Sequence, residues 1–351
     1  MITASYENRS AVNKQSKRGC LFYFKRGVLV LVALLVVIPV LGMAYQTVAE
    51  ASDKGSYPPP GQMVVVDGHQ LHINCTGAGS PTIILEAGAY SFSSEWYWVQ
   101  RQLESTNRVC SYDRAGNGWS EAVSGPRDGL TIVHELHALL QAASVPPPYI
   151  MVGHSLGGVT NPIYANQYPG EVQGLVLVDS AVPIGLNWSD VEFQAYMDAN
   201  ASAYGIMMTL GRVGALRFII RNEFRGYGYP QQIVDELTAF KSTLTDVNTW
   251  DAEVRLAQWE LSQQANAVKD AGEMPLVILW AGHPELTAPE DRAKLESIWA
   301  LVSVTSSNSD TRVVDGSDHG SIIGNEAYAA QVTQAVHDVL ESVRSGQPLA
   351  Q

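Results

Sequence analysis

The chain has 351 residues, 46% of them apolar and 16% charged: more than one small domain needs, apolar enough for a real core, and too sparsely charged for disorder. Its net charge of −13 is unevenly spread, because residues 1–26 hold six bases (Arg9, Lys14, Lys17, Arg18, Lys25, Arg26) against Glu7, leaving 16 basic and 34 acidic residues beyond. So acidic a body is a poor partner for a phosphate backbone, which excludes nucleic-acid binding, and the chain carries no Cys-x-x-Cys pair, Walker loop or Gly-x-Gly-x-x-Gly to suggest a metal, nucleotide or dinucleotide cofactor.

The first element is apolar. Gly27–Tyr45 runs nineteen residues without a charge, about 28 Å of helix, which matches one hydrocarbon core. Its basic flank predicts a cytoplasmic tail (1–26), an uncleaved transmembrane signal-anchor (27–45) and a single-pass protein whose catalytic domain is extracytoplasmic. A cleaved signal peptide is the competing reading, since Ala49-Glu50-Ala51 has the small-x-small form of a cleavage site; the long n-region and long apolar run stand against it. Residues 46–62, ending Tyr57-Pro-Pro-Pro-Gly61, read as a linker, and 63–351 as one domain. Cys20, on the cytoplasmic flank, would stay free and is placed for acylation.

Met63–Val66 and Leu71–Cys75 flank Asp67-Gly68, a hairpin turn signal. Short β-rich runs follow at Thr82–Leu85, Arg108–Tyr112, Tyr149–Val152, Leu175–Val178, Leu276–Trp280 and Thr311–Val314. Helical periodicity falls at Thr131–Ala143, Val159–Gln167 and Glu326–Val343. Continuous apolar strands alternating with helices imply a mostly parallel sheet covered on both faces. Between Val178 and Leu276 lie nearly a hundred residues of helix formers and aromatics, too many for a connection, which predicts an inserted helical cap at about 183–272. Its apolar side chains either line a pocket for an acyl or alcohol group or simply pack the cap. Arg217, Arg221 and Arg225 fall at i, i+4, i+8, as a solvated face or a stripe resting on anionic lipid.

Tyr149–Gly158 is an apolar strand, then Gly153-His-Ser155-Leu-Gly157, then a helix. A serine on so sharp a turn projects its hydroxyl above the sheet and aims free helix N–H groups at a developing oxyanion. Together with Leu85-Glu-Ala-Gly-Ala89, Ser111–Ser120, Leu175–Ser180 and Gly316-Ser-Asp-His-Gly320, this order and spacing resembles the alpha/beta-hydrolase superfamily over roughly residues 62–345. The resemblance implies an eight-stranded, mostly parallel sheet with helices on both faces and a Ser–acid–His triad in that chain order. It speaks against epoxide-hydrolase or haloalkane-dehalogenase chemistry of the usual kind, whose elbow carries aspartate.

The nucleophile is then Ser155 and the base His319, which alone among eight histidines follows the last strand in a glycine-flanked loop. Asp179, at the end of the sixth strand, is the expected acid. Glu285, after the seventh strand, is the alternative. The N–H groups of Leu156 and, less securely placed, Ala89 would form the oxyanion hole. Asp113 and Arg114 read as the pins of a structural turn. The implied topology sets the strands of Cys75 and Cys110 side by side, which permits a disulfide in an oxidising compartment; two buried free thiols are the other reading. The expected function is a serine hydrolase acting on a small-molecule ester or lipid substrate through an acyl-enzyme. A membrane-tethered, non-catalytic binding protein of the same fold is the alternative, and amidase, peptidase, lactonase and acyltransferase chemistry share the triad.

Overall fold

The computed structural model describes residues 4–349 except 126, 181–189, 269, 285–287, 289, 291–292 and 294–305. A long helix, α1 (Ala4–Ser56), precedes the hairpin β1 (Gln62–Val66) and β2 (His69–Thr76). The chain then alternates: β3 (Thr82–Glu86), α2 (Tyr97–Leu103), β4 (Val109–Tyr112), α3 (Gly129–Ala142), β5 (Tyr149–His154), α4 (Leu156–Gln167) and β6 (Val172–Val178). The cap follows as α5 (Asp190–Arg212), α6 (Leu216–Tyr227), α7 (Gln231–Lys241), α8 (Leu244–Asp251), a π-turn (Ala252–Leu256) and α9 (Gln258–Ala267). Strands β7 (Leu276–Ala281) and β8 (Ser309–Val314) and helix α10 (Glu326–Ser345) complete the domain.

The eight strands are ordered β1-β2-β4-β3-β5-β6-β7-β8, with β2 antiparallel to its neighbours and every pair from β4 onward parallel. The central strands are apolar throughout because both faces are covered. On β5 the alternation is visible: Met151 packs toward Ile132, Leu136 and Ile163 of α3 and α4, while Ile150 and Val152 join Val99, Leu103, Val336 and Val339 of α2 and α10. A third cluster, Phe92 with Leu216, Ile220, Phe224, Val234, Leu237 and Val247, fills the space beneath the cap.

Two expectations change at the N-terminal side. The stretch 46–62 is helical through Ser56 and docks on the cap: Gln46 Nε2 donates to the Ser242 carbonyl at 3.0 Å, and Arg217 reaches Gln46 Oε1 at 2.9 Å and Asp53 Oδ2 at 2.6 Å. Only its last few residues form an extended link. Arg217 is therefore 7% exposed and paired, so the arginine row is neither a solvated face nor a lipid-facing stripe along its whole length. Phe22–Asp53 is long and apolar enough to cross a membrane, with mean hydropathy 2.9 in its most apolar window.

Candidate active site

The elbow follows from local sterics. Strand β5 delivers Gly153 and His154, Ser155 takes φ 52° and ψ −114°, and α4 begins at Leu156. A positive φ at a residue with a Cβ is strained by roughly 1–3 kcal/mol and persists only where the surroundings hold it. Here Ser155 N donates to the Val178 carbonyl at 3.1 Å, and Gly158 N donates to the Ser155 carbonyl at 3.0 Å. The turn closes so tightly that a Cβ on Gly153 would fall 2.3 Å from the Gly157 backbone, and one on Gly157 would fall 2.4 Å from the Glu86 carbonyl oxygen.

Two strand ends bring in the other groups. Asp179 leaves β6 with φ 41°, a left-handed conformation that aspartate tolerates better than most residues. Its Oδ1 accepts from Ala281 N at 3.0 Å, and its Oδ2 accepts from His319 Nδ1 at 2.6 Å. His283 Nε2 lies 3.5 Å from the same Oδ2. Burial raises the pKa of the Asp179 carboxyl, but the hydrogen bonds from His283 and His319, the His319 charge and the Ala281 N–H outweigh it and hold it well below the usual carboxylate range. His319 sits in a tight turn set by Asp318, whose Oδ1 accepts from Gly320 N at 3.1 Å and Ser321 N at 2.8 Å. Its ring is half exposed, at 52%. The other candidate acid, Glu285, lies outside the described residues.

His154, next to Ser155 in the elbow, reaches the loop that carries His319. Its Nε2 donates to the His319 carbonyl at 2.8 Å, and the two imidazoles stand 4.6 Å apart. Its Nδ1 is buried and lies 3.2 Å from where a Gly88 Cβ would be. Burial, reinforced by the neighbouring His319 charge, pushes its pKa down to about 3, so the ring is neutral and Nε2 carries the proton. The link spans 165 residues of sequence, and no local signal announces it.

The loop after β3 closes over the elbow. A Cβ on Gly88 would meet Ser155 Cβ at 3.0 Å and Oγ at 3.6 Å, which places Gly88-Ala89 and the N-terminal turn of α4 on either side of the serine. Arg114 fixes that loop by donating to the Ala87 carbonyl at 2.6 Å and the Gly88 carbonyl at 2.5 Å. The same guanidinium pairs with Glu86 at 3.3 Å and, across the cap, with Glu253 at 2.8 Å. Burial opposes its charge, but the two carboxylates overcome this and raise its pKa. Asp113 does not pair with Arg114; it accepts from His72 Nδ1 at 2.9 Å, Ser93 N at 2.8 Å and Trp119 N at 3.0 Å. On the cap side Lys241 Nζ reaches the Tyr90 carbonyl and Glu95 Oε1, the latter at 2.5 Å.

Cys75 and Cys110 are register partners between β2 and β4 and are joined as a disulfide. Among the described residues no group of three His, Cys, Asp or Glu side chains is placed to hold a metal ion. A cavity of about 620 Å³ near Val172, Pro275 and Gln347 opens at the N-terminal ends of β6 and β7. Ser155, Asp179 and His319 all lie at the opposite, C-terminal ends of the strands, where open α/β sheets bind ligands.

Comparison with known proteins gives a consistent result. The model of the alpha/beta hydrolase family matches residues 83–334. Among curated relatives, YqjL of Bacillus subtilis (strain 168) is 35% identical over 118 residues, 33% of this chain and 47% of that protein. YbdG of the same organism is 28% identical over 125 residues, 35% and 38% of the two chains, so the chain spans less than half the length of these relatives. Among solved structures, an esterase from Thermogutta terrifontis superposes with a TM-score of 0.60 at 18% identity, covering 80% of this chain and 98% of the esterase.

Proposed function

The chain belongs to the alpha/beta hydrolase family, and from that premise we propose that it is a membrane-anchored serine hydrolase that cleaves carboxylic esters through an acyl-enzyme on Ser155. The observation that carries this reading is the Asp179–His319 hydrogen bond, 2.6 Å long, on a loop tied by His154 to the strained serine elbow. With Nδ1–H held by the Asp179 carboxylate, the His319 ring presents Nε2 as the base. It takes the Ser155 proton as Oγ attacks the ester carbonyl carbon. The carbonyl oxygen becomes an anion, which the N–H groups of Leu156 and Ala89 receive. As the tetrahedral intermediate collapses, the C–O bond to the alcohol breaks and His319 returns the proton to the leaving oxygen. Water, deprotonated by the same ring, then attacks the acyl carbon; as this second tetrahedral intermediate collapses, the bond to Ser155 Oγ breaks, His319 returns the proton to Oγ, and the carboxylic acid leaves.

Asp179 stabilises the imidazolium formed in each half-reaction, and its depressed pKa keeps it ionised throughout. We place the catalytic domain outside the cytoplasm, because the bases of residues 1–26 precede the apolar span and the Cys75–Cys110 bridge suits an oxidising compartment. The reading is tested by labelling the full chain with a fluorophosphonate, followed by esters of rising acyl length. Wild type is labelled and Ser155→Ala is not; equal labelling of the two, or none of wild type, favours the non-catalytic binding protein instead. Resistance to alkaline carbonate extraction and protease access to the domain in intact cells test the topology.

A further inference from the structure

The apolar span does not end beside the cap; it ends inside it. Gly42 packs so closely on the α5–α6 corner that a Cβ there would fall 2.4 Å from the Val213 carbonyl oxygen. One turn later Tyr45 lies against Gly214, whose Cβ would meet Tyr45 Cδ1 at 2.8 Å, and its ring stacks on Phe218 with centroids 6.5 Å apart. Gln46 and Asp53 continue the contact through Arg217. At a rise of ~1.5 Å per residue Tyr45 stands ~27 Å along the helix from Gly27, at the far boundary of a hydrocarbon core. Val213 is level with Gly42 and Phe218 with Tyr45, so the corner sits at that boundary or slightly below it.

The side chains presented there suit such a place. Phe218 is 63% exposed and Ile219 50% at the corner itself, and Ile206, in the α5 segment leading into it, is 60% exposed, on a body that is otherwise strongly acidic. Arg212 and Arg225, both exposed, are the bases flanking them. The opposite side of α6 is fully used: Leu216, Ile220 and Phe224 pack with Phe92 beneath the cap, and Tyr227 meets Gly320, next to His319. One helix, ~10 Å thick, therefore separates the exposed apolar face from the loops that carry the site.

We propose that the α5–α6 corner, through Ile206, Phe218 and Ile219, is seated in the interface of the bilayer that α1 crosses, holding the catalytic loops one helix away from lipid. The inference rests on α1 being a membrane span, and the test separates the two. The full chain, with Cys20→Ser, carries a bimane label at one of four introduced cysteines: Leu35→Cys in mid-span, Ile206→Cys, Phe218→Cys, or Val313→Cys on strand β8. Each is reconstituted in vesicles of phosphatidylcholine and phosphatidylglycerol with and without brominated acyl chains. Leu35→Cys, Ile206→Cys and Phe218→Cys are expected to lose at least half their emission to the brominated lipid, and Val313→Cys less than a tenth. Quenching at 35 with none at 206 and 218 overturns the seating and leaves the span standing, whether water or a second copy of the chain covers the corner. Absence of quenching at 35 overturns the span and the seating together.

Discussion

The neutral histidine behind the elbow makes a quantitative claim about acid. In the folded chain His154 titrates at about 3, against an ordinary value of 6.5. The sign follows from proton counting: below pH 6.5 the unfolded chain binds a proton at this position that the folded chain refuses, so stability falls as pH drops toward 3. Between pH 7 and pH 5 the loss from this one group is about 2 kcal/mol, at ~1.4 kcal/mol per pH unit once the unfolded imidazole is charged. His154→Gln removes the titration and keeps an N–H that can donate to the His319 carbonyl. The assay is urea unfolding of the micelle-held chain at both pH values, disulfide intact. It is followed by tryptophan emission, to which the buried Trp96, 6.5 Å from the His154 ring, contributes. Other acid-sensitive groups, including His72, cancel between the two proteins. The variant should lose about 2 kcal/mol less than wild type over this interval. Equal losses would refute the argument that the elbow histidine is held neutral by burial.

Three further outcomes follow from the site and its supports. Asp179→Asn should lower turnover by on the order of 10³-fold or more while Ser155 stays in place, and Glu285→Gln should stay within a few-fold of wild type; the reverse pattern in steady-state kinetics moves the acid to Glu285. Glu253→Ala should cost about 3–5 kcal/mol in urea unfolding, because Arg114 is then buried with only Glu86 as its carboxylate partner; a loss below 1 kcal/mol would contradict that. Asp246 is buried, with neither carboxylate oxygen hydrogen-bonded among the described residues, and burial pushes its pKa up to about 8. Its folded form keeps a proton that the unfolded chain loses above pH ~4, so Asp246→Asn should stabilise the protein by an amount that grows from pH 4 to pH 8, and a flat difference would be the contrary result.

Much of the fold was legible because its signals are local. Apolar strands buried on both faces, a glycine-flanked serine between strand and helix, and a stretch too long to be a loop each need only a short window of sequence. The supports of the site were not legible. The reach of Asp179 to His319 turns on a left-handed φ at the end of β6 and on the placement of one loop, neither of which composition encodes. His283 and His154 approach the site from residues 104 and 165 positions away from their partners, at distances set by strand order. The stretch 46–62 looked like a tether because it ends Tyr57-Pro-Pro-Pro-Gly61, yet it is helical through Ser56 and its Asp53 meets Arg217 on the cap. Arg114 and Asp113 were expected to brace one turn; Asp113 does so through Trp119 N while also holding His72 and Ser93, but Arg114 found its partners on other elements.

Arg114 also bears on how such a protein diverges and how it could be rebuilt. A single guanidinium holds the carbonyls of the loop beside Ser155 and a carboxylate of the cap. The cap is thus not a freely exchangeable module. A chimera that grafts a foreign cap onto this sheet would leave the buried Arg114 with Glu86 as its one carboxylate partner unless the graft brought an acid to the position of Glu253. A designer altering the cap would do better to leave the π-turn untouched. Inheritance faces the same restriction, so residues 86, 114 and 253 are expected to change together or not at all.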